Sequence, residues 1–245
     1  MKYALVVGGA NGIGLSISTE LAKRADIEQV YIVDKAPLTA EYANPKFKNF
    51  IFDLTEKDFS FFNRFSHIDT LMITAGFGNL ALFKNIPEDE IIKSFAVNTI
   101  PTMRLIKKFY HKIESKQDFF CGVMVSIAGF ISSPFFSIYA STKAALKIFI
   151  ESVNVELTKA GTTNRILNVS PGSIKGTNFN HQKTDLAITA PLAQQIIKHL
   201  VEKDDLLIPQ YEEIFKGVLE RYHSDFRAEG LRSYDYKLNS GRLGL

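Results

Sequence analysis

The fold is decided by residues 3–14, which read YALVVGGANGIG. The apolar run at the start of this stretch is rich in valine and closed by glycine, which is typical of a buried parallel strand. The glycines at positions 8, 12 and 14 mark a tight turn, and residues 15–24 have the pattern of a helix. Strand, glycine turn and helix form the phosphate-binding corner of nucleotide-binding α/β folds, because glycine allows close backbone approach and a helix start favours an anion. The first two glycines are spaced more widely than in the common dinucleotide fingerprint, so a simple turn is the alternative interpretation.

Strand and helix patterns alternate along the remaining chain, which predicts βαβ units and a parallel sheet. Apolar runs bounded by turn residues predict the strands, which are 30–33, 50–52, 70–74, 122–125, 165–169 and 206–208. Helical periods predict the helices, which are 57–65, 88–113, 138–159, 192–201 and 212–222. Pro101 should kink the second of these helices. Residues 173–189 have no clear period and are expected to form either a mobile lid or a surface loop.

Length and charge narrow the class of protein. A chain of 245 residues fits one large α/β domain with a full core. Its net charge of +3 is too small to indicate nucleic acid or a membrane surface as a partner. The single cysteine, Cys121, allows no internal disulfide, and no apolar run is long enough to span a bilayer. We therefore expect a soluble cytoplasmic protein without a signal peptide.

Asp34 closes the second predicted strand, at the edge of a parallel sheet where ligands bind. An acid in this position can hold the ribose 2′-hydroxyl of NAD and would repel the 2′-phosphate of NADP. Residues 8–15 contain no Arg or Lys, and Lys35 is the only nearby cation. We therefore expect NAD to be preferred over NADP. The alternative is a solvated strand-end Asp34 paired with Lys35.

The spacing of Tyr139 and Lys143 indicates a catalytic site more specifically than Asp34 indicates a cofactor. Tyr-x-x-x-Lys also occurs at 31/35 and 42/46, but the first pair lies on a strand and the second encloses a proline. Only Tyr139 and Lys143 have helical surroundings, where residues i and i+4 share one face about 5–6 Å apart. A lysine cation there stabilises a phenolate and lowers the tyrosine pKa from about 10. The pair therefore predicts a general acid/base near neutral pH.

Ser126 follows the fifth predicted strand, where its hydroxyl can hydrogen-bond the same substrate oxygen and stabilise charge developing on it. Taken one at a time, Ser126, Asn98 and Tyr139 are as well explained by caps or core packing. Their order along the chain, however, resembles the short-chain dehydrogenase/reductase family. The matching segments are the glycine turn at 8–14, Thr74-Ala75-Gly76, Val97-Asn98, Ser126-Ile127-Ala128-Gly129, Tyr139 with Lys143, and Pro171-Gly172. The resemblance covers residues 3 to about 177.

The resemblance implies a single-domain, Rossmann-type, doubly wound parallel sheet flanked by helices. It implies hydride transfer between a nicotinamide and a carbonyl or secondary alcohol. Tyr139 would exchange the proton, Lys143 would lower its pKa and bind the nicotinamide ribose, Ser126 would orient the substrate oxygen, and Asn98 would hold a water. It also implies a homodimer or homotetramer with the helices around 90–113 and 138–159 in the interface. The implied cofactor-binding residues are Gly8, Gly9, Asn11, Gly12, Ile13, Gly14, Asp34, Lys35, Asp53, Leu54, Ala75, Gly76, Asn98, Tyr139, Lys143, Pro171, Gly172 and Ile174.

Several positions depart from the family pattern. Val7 stands where the family has Thr, Thr74 must take over the structural role of an Asn, and Thr177 comes one residue late. Residues 210–245 replace a glycine-rich ending and predict an atypical helical tail that packs on the domain or on a partner subunit. One face of its helix should carry Ile214, Phe215, Val218, Leu219 and Tyr222.

Aromatic residues are expected near the catalytic groups, and they leave two interpretations open. They either form the wall of a cleft for a lipophilic substrate or cover the core; these residues are Phe77, Phe130, Phe135 and Phe136. Phe179 and His181 would touch substrate if residues 173–189 form a lid. No His, Cys or carboxylate cluster has metal-ligand spacing, so no metal site is expected. The alternatives to the leading function are a non-catalytic dinucleotide-binding redox sensor, an NADP-dependent ketoreductase and a sugar-nucleotide epimerase.

Overall fold

The first strand lies near the middle of a seven-stranded, wholly parallel sheet with the order β3-β2-β1-β4-β5-β6-β7. The structure is a computed structural model, and it describes residues 1–177, 179 and 183–240. The strands are β1 (Tyr3–Val7), β2 (Gln29–Asp34), β3 (Phe47–Ile51), β4 (Thr70–Ile73), β5 (Phe120–Met124), β6 (Ile166–Val169) and β7 (Leu206–Leu207). The strand order reverses between β1 and β4, so this point is the switch at which doubly wound sheets bind ligands.

Helices cover both faces of the sheet. They are α1 (Gly12–Lys23), α2 (Glu88–Asn98), α3 (Ile100–Ile113), α4 (Ser137–Lys159), α5 (Leu186–Glu202), α6 (Lys216–Ser224) and α7 (Phe226–Asn239). The predicted doubly wound Rossmann-type sheet is therefore confirmed. None of the helices among the described residues is long and apolar enough to cross a bilayer.

The side chains of β1 contribute to two hydrophobic clusters, one on each face of the sheet. Leu5 and Val7 point into a cluster with α3 and α4, while Ala4 and Val6 point into a second cluster with α1 and α5. Successive residues of a strand face opposite sides of the sheet, so a strand buried on both sides reads as a continuous apolar run. Each fully buried Leu or Val side chain contributes about 1.5–3 kcal/mol of burial free energy.

Two predicted elements have different bounds. The strand expected at 50–52 is β3, Phe47–Ile51, which pairs with β2 at the edge of the sheet and has only partly buried or exposed residues. An edge strand lacks the continuous apolar run that revealed the others. The helix expected at 57–65 is a 3-10 helix over Ser60–Phe65, whose Phe62 and Phe65 lie in the core.

The long helix expected over 88–113 is two helices, not one kinked helix. The chain breaks at Thr99, between α2 and α3. Pro101 lies in the first turn of α3, where its missing N–H costs no intrahelical hydrogen bond. The proline therefore starts a helix here instead of kinking one.

The C-terminal half of the chain also contains more helix than the sequence predicted. Helix α5 begins at Leu186, because the Asp185 side chain accepts hydrogen bonds from Ala187 N and Ile188 N. The tail runs through a π-helical turn (Tyr211–Phe215) into α6 and α7. Helix α7 lies within the helical tail predicted over 210–245, but its own bounds were not predicted, because it is mostly exposed and polar and no apolar period marks it.

Candidate active site

The glycine turn packs tightly against the end of β4. Gly8 has φ +85°, and a Cβ there would overlap Ala75 N and lie 2.7 Å from Ala75 Cα. A Cβ on Gly14 would overlap Gly8 O and Thr74 Oγ1. The Thr74 hydroxyl donates toward Val7 O (3.1 Å) and Gly8 O (2.9 Å), which ties β4 to the turn. This is the structural role that the sequence assigned to Thr74.

Asp34 lies directly beside this turn. Its Oδ2 accepts a hydrogen bond from Ala10 N at 3.0 Å, and its Oδ1 accepts one from Ala36 N at 3.1 Å. Two backbone bonds therefore fix the carboxylate at the end of β2. Both of these partners are backbone N–H groups, and the pairing of Asp34 with Lys35 stays the alternative interpretation of this residue.

Asp53 and Leu54 follow β3 on the same edge of the sheet. Asp53 Oδ1 accepts hydrogen bonds from the Thr55 N–H and hydroxyl, both at 2.8 Å. These bonds hold the pKa of Asp53 below its usual value, and the charge of Lys35 acts in the same direction. Leu54 packs against the core.

Four groups predicted to be catalytic or to support catalysis come together at this edge. Ser126 follows β5, and its side chain acts on the hydroxyl of Tyr139, near the start of α4, where it opposes the rise in that group's pKa. The Lys143 ammonium lies 5.6 Å from the centroid of the Tyr139 ring. A Cβ on Gly76 would lie 3.3 Å from Asn98 Oδ1 and 3.4 Å from Lys143 Nζ, so both polar groups lie next to Gly76.

Asn98 ends α2 and is completely buried. Its Oδ1 accepts from Phe77 N at 3.0 Å, and its Nδ2 donates to Phe77 O at 2.9 Å and to Thr142 Oγ1 at 3.2 Å. The side chain thus holds the segment after β4 against α4. Its carbonyl oxygen retains one acceptor position.

Burial controls the protonation of the central pair. Desolvation raises the pKa of Tyr139 to about 12, and the hydrogen bond from Ser126 opposes this rise. Burial lowers the pKa of Lys143 to about 8. Burial thus outweighs the other influences on the Tyr139 pKa in the structure, and the lowering of this pKa by Lys143 stays a prediction. The Lys143 ammonium donates to Met124 O at 2.9 Å.

Pro171 and Gly172 follow β6 and close the site from the other side. Pro171 O accepts from Ile127 N at 3.0 Å and lies 3.5 Å from Ser126 Oγ. A Cβ on Gly172 would lie 2.6 Å from Cζ of Phe215, so the start of the tail covers this strand end. The sequence placed Phe215 on an apolar helix face but gave no signal for this long-range contact.

Ile174 and Thr177 continue this segment toward the glycine turn. The Thr177 hydroxyl donates to Ile174 O at 3.0 Å. Thr177 Cβ would lie 3.8 Å from a Cβ on Gly12. Gly12 N donates to Thr184 Oγ1 at 2.8 Å, a contact that no motif in the sequence indicated.

Two phenylalanine rings pack against the ring of Tyr139. The rings of Phe136 and Phe179 are each centred 5.3 Å from it, and they lie 6.1 Å from one another. Phe135 has a different place, since it is buried against Tyr234 of α7. Of the aromatic residues expected either to form a cleft wall or to cover the core, Phe136 therefore lies against Tyr139, whereas Phe135 packs against the tail.

The other two aromatic residues of the predicted wall each face a lysine. The ammonium of Lys93 lies 5.8 Å from the Phe77 ring, and that of Lys147 lies 5.0 Å from the Phe130 ring. His181, the other residue expected to touch substrate, lies outside the described residues.

A group of potential metal ligands that the sequence did not reveal lies at the end of α5. Ligand atoms of His199, Glu202 and Asp204 lie within 4.8 Å of one another. His199 Nδ1 is 2.6 Å from Asp204 Oδ2, and Asp204 N donates to His199 O. Local contacts at the helix end thus account for the cluster.

The doubly wound parallel sheet places the glycine turn at its switch point and brings Ser126, Tyr139 and Lys143 to the same edge, where such sheets bind ligands. A family model described as short chain dehydrogenase matches residues 2–187, and the chain belongs to that family of dehydrogenases and reductases.

Individual relatives agree with this assignment. The uncharacterized oxidoreductase TDA5 of Saccharomyces cerevisiae is 26% identical over 210 residues, which cover 80% of this chain and 64% of that protein. The NADPH-dependent 1-acyldihydroxyacetone phosphate reductase of the same organism is 26% identical over 217 residues, which cover 82% of this chain and 68% of that protein. The chain thus spans about two thirds of the length of these relatives.

A solved structure shows the same fold. It is a short-chain dehydrogenase/reductase from Burkholderia phymatum in complex with NAD, with a TM-score of 0.78 and 15% identity. The match covers 93% of this chain and 95% of the other. One related protein is thus named for NADPH, and another was solved in complex with NAD.

Proposed function

We propose that the protein is an NAD(H)-dependent oxidoreductase that interconverts a carbonyl and a secondary alcohol. The observation that carries this proposal is the meeting of Ser126, Tyr139 and Lys143 beside the glycine turn. A bound nicotinamide would supply or take up the hydride. The tight turn at Gly8 and Gly14 and the missing side chain at Gly76, next to Asn98 Oδ1 and Lys143 Nζ, fit a dinucleotide lying along this edge.

Each polar group has a defined part in this proposal. Tyr139 gives its proton to the carbonyl oxygen during reduction and takes it back during oxidation. Ser126 donates a hydrogen bond to the same oxygen, where charge develops. Lys143 would turn from Met124 O to the nicotinamide ribose and place its charge beside the phenolate. The free acceptor position of Asn98 Oδ1 would hold the water that relays the proton.

The substrate is proposed to be lipophilic. Phe136 and Phe179 lie on the ring of the proton donor, so a substrate carbonyl that reaches Tyr139 must pass between or beside two apolar rings. Burial of apolar substrate surface against such rings is worth about 25 cal/mol per Å². A screen of ketones of increasing chain length tests this, with kcat/KM expected to rise with length.

Asp34 should decide the choice of cofactor. Its fixed carboxylate would repel a 2′-phosphate, so we expect calorimetric titration to show NADH binding roughly tenfold or more tighter than NADPH. Asp34→Ser should remove most of this preference. Asp26→Ser is the control, since Asp26 precedes β2 at the opposite edge and pairs with Arg24. Tighter binding of NADPH by the wild type would show that Lys35 or another cation controls the ribose pocket, and the NAD assignment would be wrong.

We propose that the protein forms a homodimer or homotetramer through α2, α3 and α4. These helices expose large apolar side chains, namely Ile92, Ile100, Ile148 and Val155. Val155→Asp should therefore shift the protein toward monomer in sedimentation at micromolar concentration. Leu231→Asp, an equally exposed apolar position on α7, is the control and should leave the assembly unchanged. A monomeric wild type would exclude the proposed interface.

A further inference from the structure

The C-terminal helices form one unit. Helices α6 and α7 are joined by an ion pair in which Arg221 Nε and Nη2 donate to the Glu229 carboxylate at 2.7 and 3.1 Å. Glu229 is buried, and Asp225 caps the start of α7 through the N–H groups of Arg227 and Ala228. We call residues 216–239 the C-terminal hairpin.

This hairpin lies on the loop that links Ser126 to Tyr139. Ser132 Oγ donates to Phe226 O at 3.3 Å, and a Cβ on Gly230 would lie 3.0 Å from the same hydroxyl. The Tyr234 ring is centred 4.6 Å from that of Phe135. Phe135 has φ +65°, a conformation that a residue with a side chain adopts only when its surroundings impose it. The hairpin therefore holds the end of the loop in a fixed shape.

Lys237 makes the last contact of the hairpin with this loop. Its ammonium donates to Ser133 Oγ at 2.7 Å and to Pro134 O at 2.8 Å, and it lies 5.5 Å from the centroid of the Phe136 ring. Both acceptors are neutral oxygens, and burial lowers the pKa of Lys237 to about 8. A desolvated ammonium costs folding free energy, and its hydrogen bonds here offset that cost by bracing the turn before Phe136.

Phe136 connects this turn to the proton donor. Its N–H donates to Ser133 O at 2.9 Å, and its C=O accepts from Ala140 N at 2.7 Å, so it joins the braced turn to the start of α4. Its ring lies against Tyr139. Lys237 thus acts on Tyr139 through two steps, first the turn and then the ring.

We propose that Lys237 is a positioning residue of the active site, which fixes the turn at 133–136 and thereby the Phe136 ring that orients Tyr139. The inference rests on the proposed function, in which Tyr139 is the acid/base. A displacement of about 1 Å of a catalytic group can cost about 100-fold in rate. Removing the brace should therefore reduce kcat and leave the glycine turn and cofactor affinity untouched.

The test compares Lys237→Met with Lys216→Met, which removes the same charge from an exposed position of the hairpin. We expect Lys237→Met to lower kcat roughly 10- to 100-fold with the dissociation constant for cofactor within about twofold of wild type. Lys237→Arg should recover most of the loss, because a guanidinium can still donate to both acceptors. Ser133→Ala removes only one acceptor and should cause a smaller loss in kcat, which keeps the test decisive if Lys237→Met does not fold.

Hydrogen exchange provides a readout that does not depend on turnover. In Lys237→Met, amides of residues 133–140 should lose protection, while in Lys216→Met they should not. Unchanged protection, or an unchanged kcat in Lys237→Met and Ser133→Ala, would overturn the inference. A wild type without turnover would instead overturn the proposed function, and the exchange result would still decide whether Lys237 braces the turn.

Discussion

Tyr139→Phe is expected to lower kcat by about 10²- to 10⁴-fold, the usual contribution of a positioned general acid/base. Burial raises the pKa of Tyr139 to about 12, so the phenol is protonated at neutral pH and ready to donate during carbonyl reduction. Phenylalanine keeps the ring that packs between Phe136 and Phe179 and removes only the hydroxyl. Cofactor affinity should therefore stay within about tenfold of wild type, since the substitution removes at most one neutral hydrogen bond, worth about 0.5–1.5 kcal/mol.

Tyr110→Phe is the matched control for this variant. Tyr110 is also a partly buried helix tyrosine whose pKa is raised by burial, but it lies on α3 and contacts the core. Its turnover should equal that of wild type. If Tyr139→Phe keeps wild-type turnover, the acid/base assignment is wrong. If wild type binds the cofactor but turns over none of the alcohols or ketones screened, the non-catalytic redox sensor is the better interpretation.

The sheet could be predicted because its strands have a local signature. Strands buried on both faces, such as β1, appear as unbroken apolar runs, and the run at 3–7 has the bounds that the sequence indicated. Edge strand β3 and helix α7 bury little apolar surface, so apolar residues do not recur in their sequences at the regular spacing that reveals a strand or a helix. The break at Thr99, between α2 and α3, places Pro101 in the first turn of α3, and the Thr99 hydroxyl donates to Thr142 O of α4, a contact distant in the chain.

The candidate site likewise contains residues that a local sequence pattern predicts and contacts that no local pattern predicts. Ser126, Tyr139 and Lys143 were found because helical spacing and strand ends are local features of the sequence. The contacts of Phe215 with Gly172 and of Lys237 with Ser133 join segments distant in the chain, and no local pattern encodes them. The protonation of Tyr139 also depends on such packing. Spacing predicted that Lys143 lowers the pKa of Tyr139, whereas burial of the ring by distant segments raises this pKa in the structure.

Gly14→Ala should destabilise the protein and weaken cofactor binding together. Gly14 lies in the first turn of α1, where alanine is intrinsically favoured over glycine by about 1 kcal/mol. A Cβ there would overlap Gly8 O and Thr74 Oγ1 and lie 2.9 Å from Gly8 C. Two of these atoms are backbone atoms of the turn, so relief requires the helix start to move away from β4. We expect a net loss of about 1–3 kcal/mol in the free energy of unfolding and roughly a tenfold or greater loss of cofactor affinity.

Urea unfolding and calorimetric titration measure these two effects on the same samples. Gly217→Ala in α6 is the control, because its nearest crowding atom is the flexible Arg221 Nη1 at 3.3 Å. That variant should equal or exceed wild type in the free energy of unfolding, since only the helix preference acts there. The two substitutions therefore change the free energy of unfolding in opposite directions, although both replace a helical glycine with alanine. A Gly14→Ala protein as stable as wild type would show that α1 can shift without cost, and retained NADH affinity in it would mean that the cofactor does not depend on the close approach of Gly8, Gly14 and Thr74.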